Sequence, residues 1–166
     1  MAFDSPAGAI FDPDRIYRYR LWRAWGDPSR RCLFIMLNPS TADEFRLDPT
    51  IRRCVNFARE WGYGAVDICN LFAMRATSPR ILYEAEKRGD DPVGPRNDDA
   101  IVDALSRAAR VIVAWGTHGA LGGRAAGVTR FLAGAKIYRL GVNADGSPRH
   151  PLYLKAATRP QHWRLR

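Results

Sequence analysis

Residues 33–37, Leu-Phe-Ile-Met-Leu, are apolar without a break and stop abruptly at Asn38-Pro39-Ser40-Thr41. A short continuous apolar run bounded by turn formers suits a strand covered on both faces, as in a parallel sheet. That strand also indicates where a site would lie, because open α/β sheets bind ligands in the crevice beyond the carboxyl ends of their strands. Here that end offers the Asn38 amide and the hydroxyls of Ser40 and Thr41, with Pro39 stiffening the turn between them. The same residues would also serve as a plain strand-ending turn with a helix cap, and both readings stand at this point.

The chain continues in βα alternation. Asp48-Pro49-Thr50 predicts a helix start, an acid at the N-cap and proline at the first helical position. Ile51, Cys54, Val55, Ala58 and Trp61 follow at helical spacing, Arg52, Arg53 and Arg59 fall on the solvated side, and Gly62 ends the helix. A second strand runs from Ala65 to Phe72, followed by a helix over residues 79–88. In the acidic loop 89–99, Asn97 or Asp98 is expected to cap the next helix, with Ile101, Leu105 and Ala108 facing inward. A third strand spans residues 110–116, a short helix begins at Gly122-Gly123-Arg124 and ends near Gly134, and a fourth strand covers residues 137–140. Residues 15–25 alternate Arg18 and Arg20 with Tyr17, Tyr19 and Leu21, which predicts an edge strand with one wet face. Gly26-Asp27-Pro28-Ser29 would turn it into a hairpin with strand 31–37. The expected fold is a three-layer α/β/α sandwich: a central, mainly parallel four-stranded sheet plus an N-terminal edge strand. Residues 1–14 are expected to be a flexible segment, residues 15–166 a single domain.

Charge narrows the partners. Lys and Arg number 26 against 17 Asp and Glu, a net charge of +9, and only three of the basic residues are lysine. Guanidinium groups match phosphates and stack on aromatic faces, so nucleic acid is the first partner to expect. The tail from Arg159, with His162 and Trp163, would pack on the sheet edge or touch nucleic acid. Cys32, Cys54 and Cys69 show no Cys-x-x-Cys spacing and read as buried thiols of a cytoplasmic protein. No apolar run approaches a membrane span, and the first residues lack the basic flank and apolar core of a signal peptide. There is no P-loop, and the aspartates of residues 89–99 read as caps and solvated groups, so neither metal nor organic cofactor is expected. A monomer is the expected state.

Three places share a position just past a strand. Asn38 ends the first strand and Asn70 the second. A buried amide left unpaired costs about 1–3 kcal/mol, so two of them at neighbouring strand ends suggest one pocket. The third is the loop Gly141–Leu154, where Pro148 and Pro151 stiffen the backbone around Arg149 and His150. His150 there would serve as an acid–base group or stabilise an anion. His118 reads as a helix cap or a surface residue.

These motifs also form a known series. Tyr17-Arg-Tyr-Arg-Leu21, Met36-Leu-Asn-Pro-Ser-Thr-Ala-Asp43, Asp48-Pro-Thr-Ile-Arg-Arg-Cys54, Trp61-Gly-Tyr-Gly64, Asn70-Leu-Phe-Ala-Met-Arg-Ala-Thr77, Asp91-Pro-Val-Gly-Pro-Arg-Asn-Asp98, Ala114-Trp-Gly116 and Pro148-Arg-His-Pro-Leu-Tyr-Leu154 resemble domain-of-unknown-function family 1643 across residues 15–165. Their order is also similar, more distantly, to that of the uracil-DNA glycosylase superfamily. That resemblance implies a fold of the same kind and hydrolysis of the N-glycosidic bond of a flipped, damaged or modified base in DNA. It implies that Asn38, standing where the most active branch has an aspartate, holds the attacking water, with Asp43 as a substitute base. Asn70 would read the base edge and His150 would stabilise the leaving base. Ser40, Phe45 and Phe72 would contact the base, and Thr41, Arg75, Arg149, Pro151, Leu152 and Tyr153 would act at the backbone or as a wedge. A non-catalytic nucleic-acid-binding module of the same fold, or an enzyme of free nucleotides or nucleosides, remain the alternatives.

Overall fold

The computed structural model describes residues 5–164. Seven strands form one mixed sheet: β1 (Ala7–Phe11), β2 (Arg18–Ala24), β3 (Arg31–Met36), β4 (Ala65–Asn70), β5 (Arg110–Val113), β6 (Ile137–Arg139) and β7 (Gln161–Trp163), in the spatial order β1-β2-β4-β3-β5-β6-β7. Four of the inner strands, β4, β3, β5 and β6, are mutually parallel, as the βα alternation predicts. The apolar run of β3 lies among them, fully buried and paired on both edges.

Helix α1 (Pro49–Glu60) covers one face, placing Ile51, Cys54, Val55, Phe57 and Ala58 against Phe34, Ile68 and Ile112. Helices α2 (Pro79–Arg88), α3 (Asn97–Arg107) and α4 (Arg124–Phe131) cover the other, where Leu82, Ile101, Ala104 and Val128 meet Leu33, Ile35, Cys69 and Val113. The two faces are the two parities of the strands. Three layers result, and no helix among the described residues is long and apolar enough to cross a membrane.

The flanks of the sheet differ from expectation. Of the segment expected to be flexible, residues 1–4 lie outside the described residues, but Ala7–Phe11 is a strand, antiparallel to β2, and it forms the sheet edge. Strand β2 is therefore interior, antiparallel to β4 as well, and makes no hairpin with β3. The Gly26–Ser29 turn instead carries the chain across β4, because β3 takes parallel partners on both edges and leaves none for an antiparallel neighbour. At the other edge β7 pairs antiparallel with β6, so the tail completes the sheet. The expected cap of α3 also differs. Arg96 occupies the N-cap position without a side-chain bond, while Asn97 is fully buried and donates its amide to Asn70 O and Leu71 O at 2.9 and 3.0 Å. It fastens the start of α3 onto the end of β4.

Arg18 and Arg20 are not solvated; both are buried. Asp67, set in an otherwise apolar strand, accepts from Arg20 Nη2 and from Arg31 Nη1, each at 2.9 Å. Asp67 lies opposite Trp22 and Leu33, so residues two places away, Arg20 and Arg31, share its face. Removing the carboxylate would leave two guanidinium groups facing each other without water. Asp67→Ala is expected to lower folding stability by about 3–5 kcal/mol, measured by chemical denaturation.

Candidate functional site

The chain passes from β3 through α1 to β4 on one side, then crosses over β3 to reach β5 on the other. Such a reversal leaves a crevice at the strand carboxyl ends, because the helices on either side diverge there. A cleft of about 750 Å³ occupies that position. Its walls are the end of β3 (Met36, Leu37, Asn38), the turn after β5 (Trp115–His118), the amino ends of α1 and α2 (Asp48, Thr50 and Ser78, Pro79), and the loop of Arg149 to Leu154.

The end of β5 is shaped by glycine. Gly116 adopts φ 75°, ψ −164°, a conformation essentially closed to other residues. The 3₁₀ turns of Thr117–Gly123 follow, and a Cβ on Gly119 would stand 2.4 Å from the Trp115 indole. This close approach holds Thr117 and His118 at the cleft rim, where Tyr83 Oη contacts His118 Nδ1 at 3.1 Å.

Main-chain groups fix the polar side chains of the cleft. Asn38 Nδ2 donates to Ala76 O at 2.8 Å and to Pro39 O at 3.0 Å, two acceptors that only the NH₂ end can serve. The amide is thereby oriented, and Oδ1 has no hydrogen-bond partner among the described residues. Asp48 caps α1, with Oδ1 accepting from Ile51 N at 2.9 Å and Oδ2 from Ala42 N at 3.4 Å. Leu152 N donates to His150 Nδ1 at 3.3 Å, which places the ring proton of the neutral imidazole on Nε2. Burial pushes the His150 pKa below its ordinary value, and the Asp48 carboxylate partly offsets that shift.

Arg18 reaches the same cleft from β2. The ladder between β1 and β2 pairs Ile10 with Arg20 but Phe11 with Arg18, so Tyr19 is an extra residue, a bulge. Past a bulge the alternation changes phase, and Arg18 leaves the face on which Arg20 meets Asp67. Its Nη1 donates to Ala42 O at 3.0 Å and its Nη2 to Asn70 Oδ1 at 3.4 Å.

Of the residues expected in the pocket, Asn38, Ser40, Arg149, His150, Leu152 and Tyr153 line the cleft. The others do not. Asn70 is level with Met36 in the β3–β4 ladder but is buried beneath Arg18. Asp43 is spent on its own turn, accepting from Phe45 N and Arg46 N at 2.8 Å each, and these bonds hold its pKa below the ordinary carboxylate value. Phe72 belongs to the core between the sheet and α2–α4, and Phe45 is 86% exposed outside the cleft. Thr41 is exposed and Pro151 buried, neither lining it. Arg75 stacks over Phe11 and donates to Ser40 O at 3.4 Å, bracing the β3 loop from outside. Asp48, Thr50, His118, Asn143 and Arg18 are cleft residues that the sequence did not single out as such. The signal for the buried arginines was available: an aspartate inside Ala-Val-Asp-Ile-Cys-Asn needs cations on neighbouring strands.

Fold and cleft together define an α/β domain with a ligand crevice at its topological switch point. The chain matches the family described as "Protein of unknown function (DUF1643)" over residues 18–152, and it belongs to that family. Neither the curated proteins nor the solved structures contain a match to it.

The depressed pKa of His150 ties stability to pH. Below its ordinary value of 6.5 the unfolded chain takes up a proton that the folded ring resists. His150's contribution is therefore full above about pH 6.5 and is lost as pH falls toward the lower folded value. Comparison of thermal melts of the wild type and His150→Gln is expected to give a constant difference at neutral pH. On acidification the wild type should lose stability faster than the variant.

Proposed function

We propose that the cleft hydrolyses the N-glycosidic bond of a nucleobase turned out of nucleic acid. The observation that carries this reading is the pairing of Asn38 and His150 in one crevice: an acceptor oxygen with no partner among the described residues, and a neutral imidazole with its proton on Nε2. Asn38 Oδ1 accepts from a water and orients its lone pair toward the anomeric carbon. As the water oxygen bonds to that carbon, the carbon–nitrogen bond breaks and its electron pair leaves with the base. The His150 Nε2–H donates to the anionic base, a role a preorganised neutral donor fills without reorganisation. The water's proton passes to the Asp48 carboxylate, which lines the cleft in place of the Asp43 expected from sequence.

The order of the motifs, similar to that of the uracil-DNA glycosylase superfamily, supports the same reading, as does the net charge of +9. Asn70 does not line the cleft and lies buried against Arg18. Tyr153, at the cleft mouth, is 94% exposed and has φ 69°, a left-handed conformation that a tyrosine rarely adopts. Backbone held in such a state clusters at functional sites. Its ring would fill the gap left by an extruded base.

Duplexes carrying a panel of modified bases, treated with alkali after incubation to cleave abasic sites, test the proposal. One duplex is expected to yield abasic product, with the rate falling about a hundredfold in Asn38→Ala and in His150→Gln while duplex binding persists. Salt-sensitive binding with no abasic product across the panel would favour a non-catalytic nucleic-acid module, and undiminished cleavage by both variants would remove Asn38 and His150 from the reaction.

A further inference from the structure

Among the described residues three strand arginines are buried, and one of them is treated differently. Arg20 and Arg31 converge on the Asp67 carboxylate. Arg18 is 1% exposed, yet no carboxylate lies within ion-pair distance of it among the described residues. Its partners are a backbone carbonyl, Ala42 O, and a neutral amide oxygen, Asn70 Oδ1, while Nε has none. The charged groups that bear on it are Asp48 on one side and Arg75 and Arg23 on the other, an excess of positive charge. Asp48 makes no ion pair with Arg18, and its two oxygens accept from the Ile51 and Ala42 N–H groups. Burial lowers the Arg18 pKa to about 10, which still leaves it a cation at neutral pH.

A buried charge with only neutral acceptors costs several kcal/mol unless an opposite charge arrives. The bulge at Tyr19 is what creates this situation, turning Arg18 away from the Asp67 face and into the cleft wall. We propose that Arg18 is the anion-recognition residue of the cleft, taking a negatively charged oxygen of the ligand on its planar guanidinium. Asn70 is then a positioning residue: its Oδ1 holds Nη2, and its own Nδ2 stays without a partner, buried behind the arginine it aims. The anionic oxygen would belong either to an ionised base edge or to a phosphate, both of which suit a guanidinium fork. This inference concerns the same cleft as the proposed glycosidic reaction but requires no bond to break.

Binding to the intact wild-type chain separates the possibilities, with calorimetric titration of xanthine, hypoxanthine and inorganic phosphate at a pH where xanthine is largely ionised and hypoxanthine is not. Binding of xanthine about tenfold tighter than hypoxanthine identifies an ionised base edge as the anion. Saturable phosphate binding with no preference between the two bases identifies a phosphate. Arg18→Met should abolish whichever preference is found, with Arg18→Gln as a second neutral variant should the first not fold as judged by circular dichroism. The proposal is overturned if the wild type shows neither preference, or if a folded Arg18 variant keeps it. Loss of the glycosidic reading leaves these measurements unaffected, and failure here leaves abasic-site formation to be judged separately.

Discussion

The Asp67 carboxylate is the point on which the sheet depends. It sits on β4, between β2 and β3, and receives a guanidinium from each. Three strands are thereby locked in register at one end. A slip by one residue would turn Asp67 toward α1 and strand both arginines in an apolar layer. Desolvating these charges is costly, so the gain is specificity of pairing more than net stability. With β2 held outside β4 in this way, β3 is left to pair in parallel on both edges, and the chain must cross over it to reach β5. The crevice at the end of β3 follows from that crossing.

Much of this was legible in the residues. The apolar run of β3 announced a strand buried on both faces, and Asp48 before a proline marked the start of α1. These signals are local, each written in a few adjacent residues. The arrangement of β1 and β2 was not legible, because antiparallel pairing with distant strands depends on surfaces that only exist once the sheet is assembled. Alternation of Arg18 and Arg20 with tyrosines correctly indicated a strand but misplaced the charges. The wet face it implied does not exist, since β2 lies inside the sheet with α3 packed against it. A bulge is likewise invisible to a period-two reading, and it is the bulge that separates the two arginines.

The candidate site shows the same division. Asn38 and His150 could be named because each follows a strand, and strand ends are where crevices form. Asn70 was named by the same rule and does not line the cleft: its ladder partner Met36 does, but the Arg18 guanidinium lies over the Asn70 amide. Being at the end of a strand is not enough when another side chain covers that end. Asp48 was read as a cap, and it is one; its place on the cleft wall comes from the direction in which α1 leaves the sheet.

Three polar side chains of the cleft are oriented by the main chain. Asn38 is turned by the carbonyls of Pro39 and Ala76, His150 by Leu152 N–H, and Asp48 by the first turn of α1. Main-chain groups at strand ends move little, so this arrangement fixes an acceptor and a ring donor before any ligand arrives. Arg18 departs from that pattern. Its position rests on one carbonyl and one side chain, and its charge is left without a close partner, a condition the protein avoids for Arg20 and Arg31 by supplying Asp67. A chain that neutralises two buried guanidinium groups and leaves a third unpaired at its crevice has placed its uncompensated charge where a ligand can meet it.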